Sequence, residues 1–378
     1  MTSLNLGGSD AAAHHPPLRI AMVAPPWYEL PPSGYGGIEM ICAALVDVLV
    51  ARGHEVTLFG AGRRTGTAGR FVSTTPQLQY PRLSQAMPVV LHAARVNRLL
   101  RDGDFDVVHD HSTGGPLSAG LRAAPTVVTV HGPADGELGD YYAELADSIH
   151  LVAISNDQRR RRPELPWVGT IHNGVDPVNF PASPSPDGPV LWLGRFCPDK
   201  GPDLAIRACR DAGLPLVLAG KCIEPEERRY LQRVIQPMLG EDVRLVLDAD
   251  RQTAGRLLAE ARCLIMPIRW NEPFGMVMIE AMASGTPVVA LRRGSVPEVV
   301  RDGVTGWIRD HPAELPGALL RVRELEPAAC AEYVRAKFGA ELMARRYERV
   351  YRMVIGRAGR PAYQWRQLTA AAPASLPA

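Results

Sequence analysis

Cys263-Leu264-Ile265-Met266-Pro267-Ile268, then Glu272-Pro273-Phe274-Gly275, then Met276-Val277-Met278-Ile279-Glu280-Ala281-Met282-Ala283-Ser284-Gly285: the reading of this stretch decides the fold. The first piece is a short, continuous apolar run, the pattern of a strand buried on both faces. Pro273 and Gly275 keep the second piece out of helix. The third piece is helical, and Gly285 supplies the stop. The unit is strand, loop, helix. The amides of Gly275, Met276 and Val277 begin the helix, where unbonded N–H groups and the dipole make an anion site. Glu272 is expected in the loop facing that site, with Phe274 projecting from the loop and Glu280 about two turns further on. A helix start flanked by two carboxylates suits a ligand that has both phosphate and hydroxyl groups, as a sugar nucleotide does.

The same unit recurs on either side. Strand-like runs at 18–24, 54–59, 106–109, 126–130, 151–154 and 168–172 alternate with helical patterns, such as Ile38, Ile41, Leu45, Val48 and Leu49, and a helix near 86–100. A Pro- and Ser-rich connector at 177–189 interrupts the alternation. The pattern then restarts, with strands at 190–194, 216–220, 243–247 and 286–290 and helices at 203–212, 225–239 and 253–262. Residues 312–356 read as helical. Alternation of this kind specifies α/β architecture with a parallel sheet, and the restart specifies two doubly wound domains. The expected division is a tail at 1–17, a first domain at 18–180, a second at 188–344 and a tail at 361–378. Open parallel sheets bind ligands at the carboxyl ends of their strands, so two in tandem place the site in the cleft between them. Gly36-Gly37, His131, Arg195, Lys200 and Glu272 all follow predicted strands.

Composition narrows the class. The 378 residues are 46% apolar, enough for sizeable cores, and the formal net charge of +2 gives no case for nucleic-acid binding. The six cysteines are scattered without a C-x-x-C pair, which fits a reducing cytoplasm rather than a disulfide or zinc framework. The first residues lack the basic and apolar regions of a signal peptide, and no apolar run reaches the ~20 residues of a membrane helix. A cytoplasmic protein is expected.

Gly194-Arg195-Phe196-Cys197-Pro198-Asp199-Lys200-Gly201 puts two cations five residues apart around a tight turn. They can clamp a diphosphate from two directions, each charge-assisted bond being worth roughly 1.5–3 kcal/mol; the plain alternative is a surface turn. It is not a P-loop, since G-x-x-x-x-G-K-[ST] is absent. Gly34-Tyr35-Gly36-Gly37-Ile38-Glu39 lets backbone approach a ligand closely. A dinucleotide fingerprint needs a third glycine where Glu39 stands, so nicotinamide binding is not expected. His131-Gly132 ends a strand at the cleft and is read as a ligand contact rather than a satisfied structural histidine. His109-Asp110-His111 has the look of a metal triplet without an evident third ligand, and a polar strand end is preferred. Asp104 with Asp106, and Asp248 with Asp250, match a short D-x-D pattern but are read as a turn and a helix cap. Arg159-Arg160-Arg161-Arg162 is either a solvated face or a contact for anionic lipid or an acidic acceptor. Gly294-Ser295-Val296-Pro297-Glu298 is expected to form a loop and short helix lining a nucleotide.

Taken in order, the Gly-Gly loop, His131-Gly132, Asn173-Gly174-Val175-Asp176, Gly194-Arg195-Phe196 with Asp199-Lys200-Gly201, Glu272-Pro273-Phe274-Gly275 with Glu280, Gly285-Thr286-Pro287-Val288-Val289-Ala290 and Pro297-Glu298-Val299-Val300 resemble the retaining GT-B glycosyltransferases of family 4. The resemblance covers residues 18–356 and is strongest over 194–307. It implies two Rossmann-like domains facing each other across a cleft, with a helix at 345–360 crossing back onto the first. It implies a nucleotide-diphosphate sugar, UDP- or GDP-linked, held mainly by the second domain, and an acceptor hydroxyl of unknown identity. By the same resemblance Glu280 takes the ribose hydroxyls, Arg195 and Lys200 hold the diphosphate, and Glu272 faces the sugar hydroxyls. The backbone of Phe274, Gly275, Met276 and Val277 contacts sugar and phosphates, Gly36 and Gly37 lie near the diphosphate and acceptor, and His131 lies near the transferred sugar. No metal and no further cofactor are expected, and peripheral contact with the inner face of a membrane is expected only through Arg159–162. Gly294-Ser295, where many relatives have two glycines, and Gly220-Lys221-Cys222, where a more glycine-rich turn is common, depart from the pattern. Two rivals stand beside transfer: an epimerase or hydrolase acting on the sugar nucleotide alone, and a non-catalytic sugar-nucleotide-binding regulatory protein.

Overall fold

The computed structural model describes residues 16–34, 36–83, 85–180 and 185–358. Apart from Pro16 and Pro17, the expected tails lie outside the described residues, as do Tyr35 of the glycine loop and 181–184 of the connector. The first sheet contains β1 (Arg19–Val23), β2 (Glu55–Ala61), β3 (Arg70–Thr75), β4 (Val107–Asp110), β5 (Thr126–Val130), β6 (Ile149–Ala153) and β7 (Trp167–Thr170). The second contains β8 (Val190–Leu193), β9 (Leu216–Gly220), β10 (Val243–Leu247), β11 (Cys263–Met266), β12 (Val288–Leu291) and β13 (Gly306–Arg309). Their orders are β3-β2-β1-β4-β5-β6-β7 and β10-β9-β8-β11-β12-β13. Every pairing is parallel, for instance Met22 opposite both Leu58 and His109, and Leu264 opposite both Leu191 and Val288. β1, β5, β8 and β11 are almost wholly buried, and largely apolar in sequence, because helices cover both faces of the central strands.

In each sheet the order reverses once, between β1 and β4 and between β8 and β11. Chain leaving adjacent strands there diverges to opposite faces and opens a crevice. Gly36 and Gly37 follow β1, His111 follows β4, Arg195 follows β8 and Glu272 follows β11. The sheet topology thus delivers these residues to the two switch points.

Four elements differ from the sequence reading. β3 was not expected, because Arg70-Phe71-Val72-Ser73-Thr74-Thr75 is polar and half exposed at the sheet edge, where no apolar run is needed. The helices Glu137–Glu144 and Asn156–Arg161 are too short for a clear apolar period. The closing helix starts at Ala340, not 345, and runs to Ala358. Met343, Ala344, Tyr347, Val350, Tyr351 and Val354 are buried in the core of the first sheet. The Tyr351 hydroxyl meets His109 Nδ1 at 2.7 Å and the Tyr347 hydroxyl meets Thr129 Oγ1 at 2.8 Å, so the burial of two large aromatics leaves no hydroxyl unpaired.

Candidate active site

A cavity of about 570 Å³ lies between the carboxyl ends of the two sheets. From the first domain, Gly36, Gly37, Glu39, His111 and His131 line it; from the second, Arg195, Lys200, Lys221, Glu272 and the 274–277 segment do. Ten of the eleven residues expected at the site are therefore brought together. Glu280 is not among the lining residues; it lies further along the helix Met276–Ala283, where the field of Arg251 acts on it. Burial pushes the Glu280 carboxyl up to about 7, against the pull of Arg251.

The helix start is built by two glycines. Gly275 is its N-cap at φ 80°, and a Cβ there would stand 2.6 Å from Met278 Cε. Gly294, at φ 54°, lies so close under the Glu272 loop that a Cβ would collide with the Glu272 backbone N and O. Ser295 completes the support, its amide donating to the Glu272 carbonyl at 2.9 Å and its hydroxyl to the Phe274 carbonyl at 2.8 Å. Neither Gly294, Ser295 nor the short helix Val296–Val299 lines the cavity, contrary to the sequence expectation; they brace the loop that does. Phe274 also differs from expectation. Its ring does not project from the loop but is buried, 6.0 Å from both His172 and Phe338. An exposed phenyl would forfeit roughly 2 kcal/mol of burial, so the ring anchors the loop and the backbone faces the cavity.

Both expected cations are held by carboxylates. Lys200 Nζ pairs with Glu272 Oε2 and lies 4.7 Å from the Trp270 ring centre. Trp270 Nε1 donates to the same carboxylate oxygen at 3.2 Å. Glu272 is thus an ion-pair partner, where a carboxylate turned to sugar hydroxyls was expected. Arg195 Nη1 lies 3.3 Å from Glu227 and 3.9 Å from Glu224. Glu227 is buried and also accepts the amides of Ile223 and Glu224, at 2.9 and 3.2 Å, which fixes the turn after β9. Trp270 and Glu227 escaped the sequence reading. The available signal for Glu227 was an acid seven residues after the end of β9, which is too common to single out, and Trp270 stands in no motif.

On the first domain, His131 Nε2 and His111 Nδ1 are 2.8 Å apart with their rings stacked. Burial lowers both, His131 to about 4 and His111 well below the usual imidazole range. The pair is neutral at physiological pH and shares one N–H between two facing nitrogens. His109, expected as part of a strand-end cluster, faces Tyr351 and Thr129 instead. Glu39 is 3% exposed, and burial pushes its carboxyl up to about 7. Its Oε1 has no partner among the described residues.

The remaining motifs have structural roles. Asp104 and Asp106 both pair with Arg19, and Asp250 caps the helix Arg251–Glu260 by accepting the Thr253 amide at 2.8 Å. Among the described residues no three His, Cys, Asp or Glu side chains are grouped to hold a metal ion, and no helix is long and apolar enough to cross a membrane. The Arg159–162 run is largely neutralised. Arg160 and Arg161 pair with Asp157, Arg161 also with Asp135, and Arg162 with Asp140 and Glu164. A run already matched by its own acids has little charge left for a membrane. Glu298 has a role its motif did not reveal. Its carboxylate accepts the amides of Asn156 and Asp157, at 2.8 and 2.6 Å, and pairs with His172 at 3.1 Å, tying the second domain to the first.

Two family models match the chain. Glycosyltransferase Family 4 covers residues 35–179 and Glycosyl transferases group 1 covers residues 179–334. A phosphatidyl-myo-inositol mannosyltransferase from Mycobacterium leprae is 29% identical over 380 residues, covering 89% of this chain and 97% of that one. A D-inositol 3-phosphate glycosyltransferase from Acidothermus cellulolyticus is 28% identical, with 86% and 87% covered. Among solved structures, AviGT4, a glycosyltransferase involved in avilamycin A biosynthesis, superposes with a TM-score of 0.67 at 25% identity, covering 90% of this chain and 98% of its own.

Proposed function

The chain belongs to the GT-B glycosyltransferases of family 4, and on that premise we propose that it transfers a hexosyl group from a UDP- or GDP-linked sugar to an acceptor hydroxyl, with retention of anomeric configuration and without a metal ion. The observation that carries this reading is the grouping of Arg195, Lys200 and the amide-bearing start of the helix Met276–Ala283 on one wall of the cavity. Three positive groups converging on one volume suit a departing diphosphate and supply the charge stabilisation a metal otherwise gives. As the glycosidic bond lengthens, the sugar gains oxocarbenium character and the diphosphate gains charge. The leaving phosphate oxygen then takes the proton of the acceptor hydroxyl on the same face, which needs no protein nucleophile and retains configuration. The neutral His111–His131 pair faces the acceptor side and supplies a hydrogen bond without adding charge. Glu280 and Lys221 stand towards the nucleoside end. The names of the two curated relatives, both built on an inositol compound, support a cyclic polyol as the acceptor class.

The test is a thermal-shift panel of UDP-, GDP- and ADP-linked sugars, followed by NMR of the product formed with an inositol acceptor in chelator. One donor is expected to raise the melting temperature, as any ligand of the folded state does, and to yield a product with the donor's anomeric configuration. Donor loss at the same rate without acceptor would identify an epimerase or hydrolase instead. Binding without turnover on any acceptor would identify a regulatory protein. An inverted product, or loss of transfer in chelator, overturns the mechanism.

A further inference from the structure

Of the 42 lysine and arginine side chains only three are lysines: Lys200, Lys221 and Lys337. Two of the three line the cavity, in a chain whose other cations are, Lys337 apart, all arginines. The two residue types are not interchangeable. A guanidinium is a planar fork, whereas an ammonium is a compact charge that enters a narrow place and turns its donors to suit the partner. Lys200 has its pair with Glu272 and its place in the diphosphate reading. Lys221 has neither, and it stands in the Gly220-Lys221-Cys222 turn that departs from the family pattern.

β8 and β9 run parallel with Leu193 opposite Ala219, and beyond that pair two glycines touch: a Cβ on Gly220 would collide with the Gly194 carbonyl oxygen. Arg195 and Lys221 are the next residues, so two cations leave neighbouring strand ends into one cavity. Arg195 has Glu227 and Glu224 for partners. Lys221 has no carboxylate within ion-pair distance among the described residues. The Glu29 carboxylate feels its charge but is held by the Ser33 amide at 2.9 Å. The Lys221 ammonium rests against the first domain, 5.6 Å from the Tyr28 ring centre and so near Gly34 that a Cβ there would stand 3.1 Å from Nζ. That ring is close to the limit of about 6 Å for a cation–π contact and does not by itself offset the desolvation of a charge. The Ser33 carbonyl accepts the Arg251 amide at 3.1 Å, which ties the same loop to the second domain.

We propose that Lys221 is a further phosphate-holding residue of the cavity, its ammonium taking a phosphate oxygen of the ligand beside Arg195, at the seam between the two domains. Two adjacent cations, one of them without a carboxylate, suit a group with more than one negative charge and several acceptor oxygens; a phosphate is such a group, and a hydroxyl or a base is not. Lysine rather than arginine fits the narrow place between Tyr28 and Gly34. A phosphate held there meets second-domain charge and the first-domain loop at one point, so its binding favours the arrangement in which the domains touch. That the phosphate is carried by a nucleotide or by a phosphorylated acceptor rests on the glycosyl-transfer reading; the phosphate site does not.

Isothermal titration of the full chain with UDP, GDP, ADP, inorganic pyrophosphate and inositol monophosphate tests it, with the nucleosides and inositol as controls. Lys221→Met keeps the apolar stem and removes the charge. It is expected to weaken the nucleoside diphosphate that the wild-type chain binds by roughly 10- to 150-fold, the loss of one charge-assisted hydrogen bond. The affinity for the nucleoside and the melting temperature are expected to stay as they are. Lys337→Met, at the exposed end of the helix Pro327–Lys337, is expected to change none of these. Equal affinities of Lys221→Met and wild type for every phosphate ligand overturn the proposal and leave the transfer reading standing. An equal loss for nucleoside and diphosphate also overturns it, by making Lys221 a contact for the nucleoside or a structural residue. A loss seen with inositol monophosphate, and with neither inositol nor any nucleoside diphosphate, keeps Lys221 as the phosphate holder and assigns the phosphate to the acceptor. If pyrophosphate binds through Lys221 and no nucleotide binds, the transfer reading fails and the phosphate site stands. A wild-type chain that binds none of these ligands overturns both.

Discussion

Glu39→Gln isolates the energetic consequence of a carboxyl buried at the cavity wall. Glu39 is 3% exposed, and burial raises its carboxyl from the ordinary 4.5 to about 7. The sign follows from which state holds the proton. Below pH 4.5 both the folded and unfolded chains carry a neutral carboxyl, and the group does not favour either. As pH rises from 4.5 to 7, the unfolded chain releases its proton while the folded chain keeps it, so stability falls by about 1.4 kcal/mol per pH unit. Above 7 the loss has reached its full value of roughly 3 kcal/mol, the folded chain now bearing a buried carboxylate. Glutamine never ionises, and its amide oxygen can replace the carboxylate oxygen as acceptor. Any fixed packing difference between the substituted amide and the protonated Glu39 carboxyl is the same at every pH, so a comparison across pH removes it. The difference in melting temperature between variant and wild type is expected to grow by roughly 6–12 °C between pH 4.5 and pH 8, at about 2–4 °C per kcal/mol for a domain of this size. Differential scanning fluorimetry on both proteins across that range measures it. A difference that stays constant with pH would refute the reasoning, since Glu39 would then titrate alike in both states.

Two further outcomes follow from the pairs described above. Lys200→Ala is expected to cut kcat by roughly 100-fold or more, the effect of removing one donor to developing charge, and to lower the melting temperature by stranding Glu272. Adding Glu272→Gln to it is expected to recover the melting temperature but not kcat, whereas recovery of both would assign Lys200 a purely structural role. Glu298→Gln is expected to cost about 1–3 kcal/mol, because its amide cannot accept from both Asn156 and Asp157 as the carboxylate does. Faster hydrogen exchange at those two amides, with β5 unchanged, is the readout, and unchanged exchange would dissolve the interdomain tie.

Much of the fold was legible because buried parallel strands leave a strong sequence trace. Thr126–Val130, Leu216–Gly220 and Val243–Leu247 are found at the residues where apolar runs place them. β3 left no such trace, since an edge strand with one wet face needs only ladder hydrogen bonds, and Arg70-Phe71-Val72-Ser73-Thr74-Thr75 supplies little else. The start of the closing helix was also hidden. Ala340 donates its amide to the Val175 carbonyl, and Val175 donates to Phe338, so a contact from the far end of the first domain sets the helix boundary.

The site was legible at the level of which residues gather and not of what they touch. Position is set by topology: a residue that follows β1, β4, β8 or β11 reaches a switch point whatever its chemistry. Pairing is set by side-chain reach across separate elements, and spacing along the chain does not encode it. Glu272 shows the difference. The motif places it beside the helix start, as found, but its partner Lys200 comes from the turn after β8, 72 residues earlier. The same holds for Arg195, just after β8, and Glu227, in the first turn of the helix Pro225–Tyr230 that follows β9. An unpaired cation in a half-buried cleft carries a desolvation penalty, and a carboxylate within reach offsets it. A diphosphate, with more charge and more acceptor oxygens than one carboxylate, displaces such a partner at little net cost. On the glycosyl-transfer reading proposed above, it would free Glu272 to accept from a sugar hydroxyl as the phosphates arrive. The two readings of Glu272, ion-pair partner and sugar contact, would then be successive states of one group. Glu272→Gln separates them: it is expected to weaken binding of a nucleotide sugar far more than binding of the nucleoside diphosphate, and isothermal titration showing equal losses for both ligands would rule the exchange out.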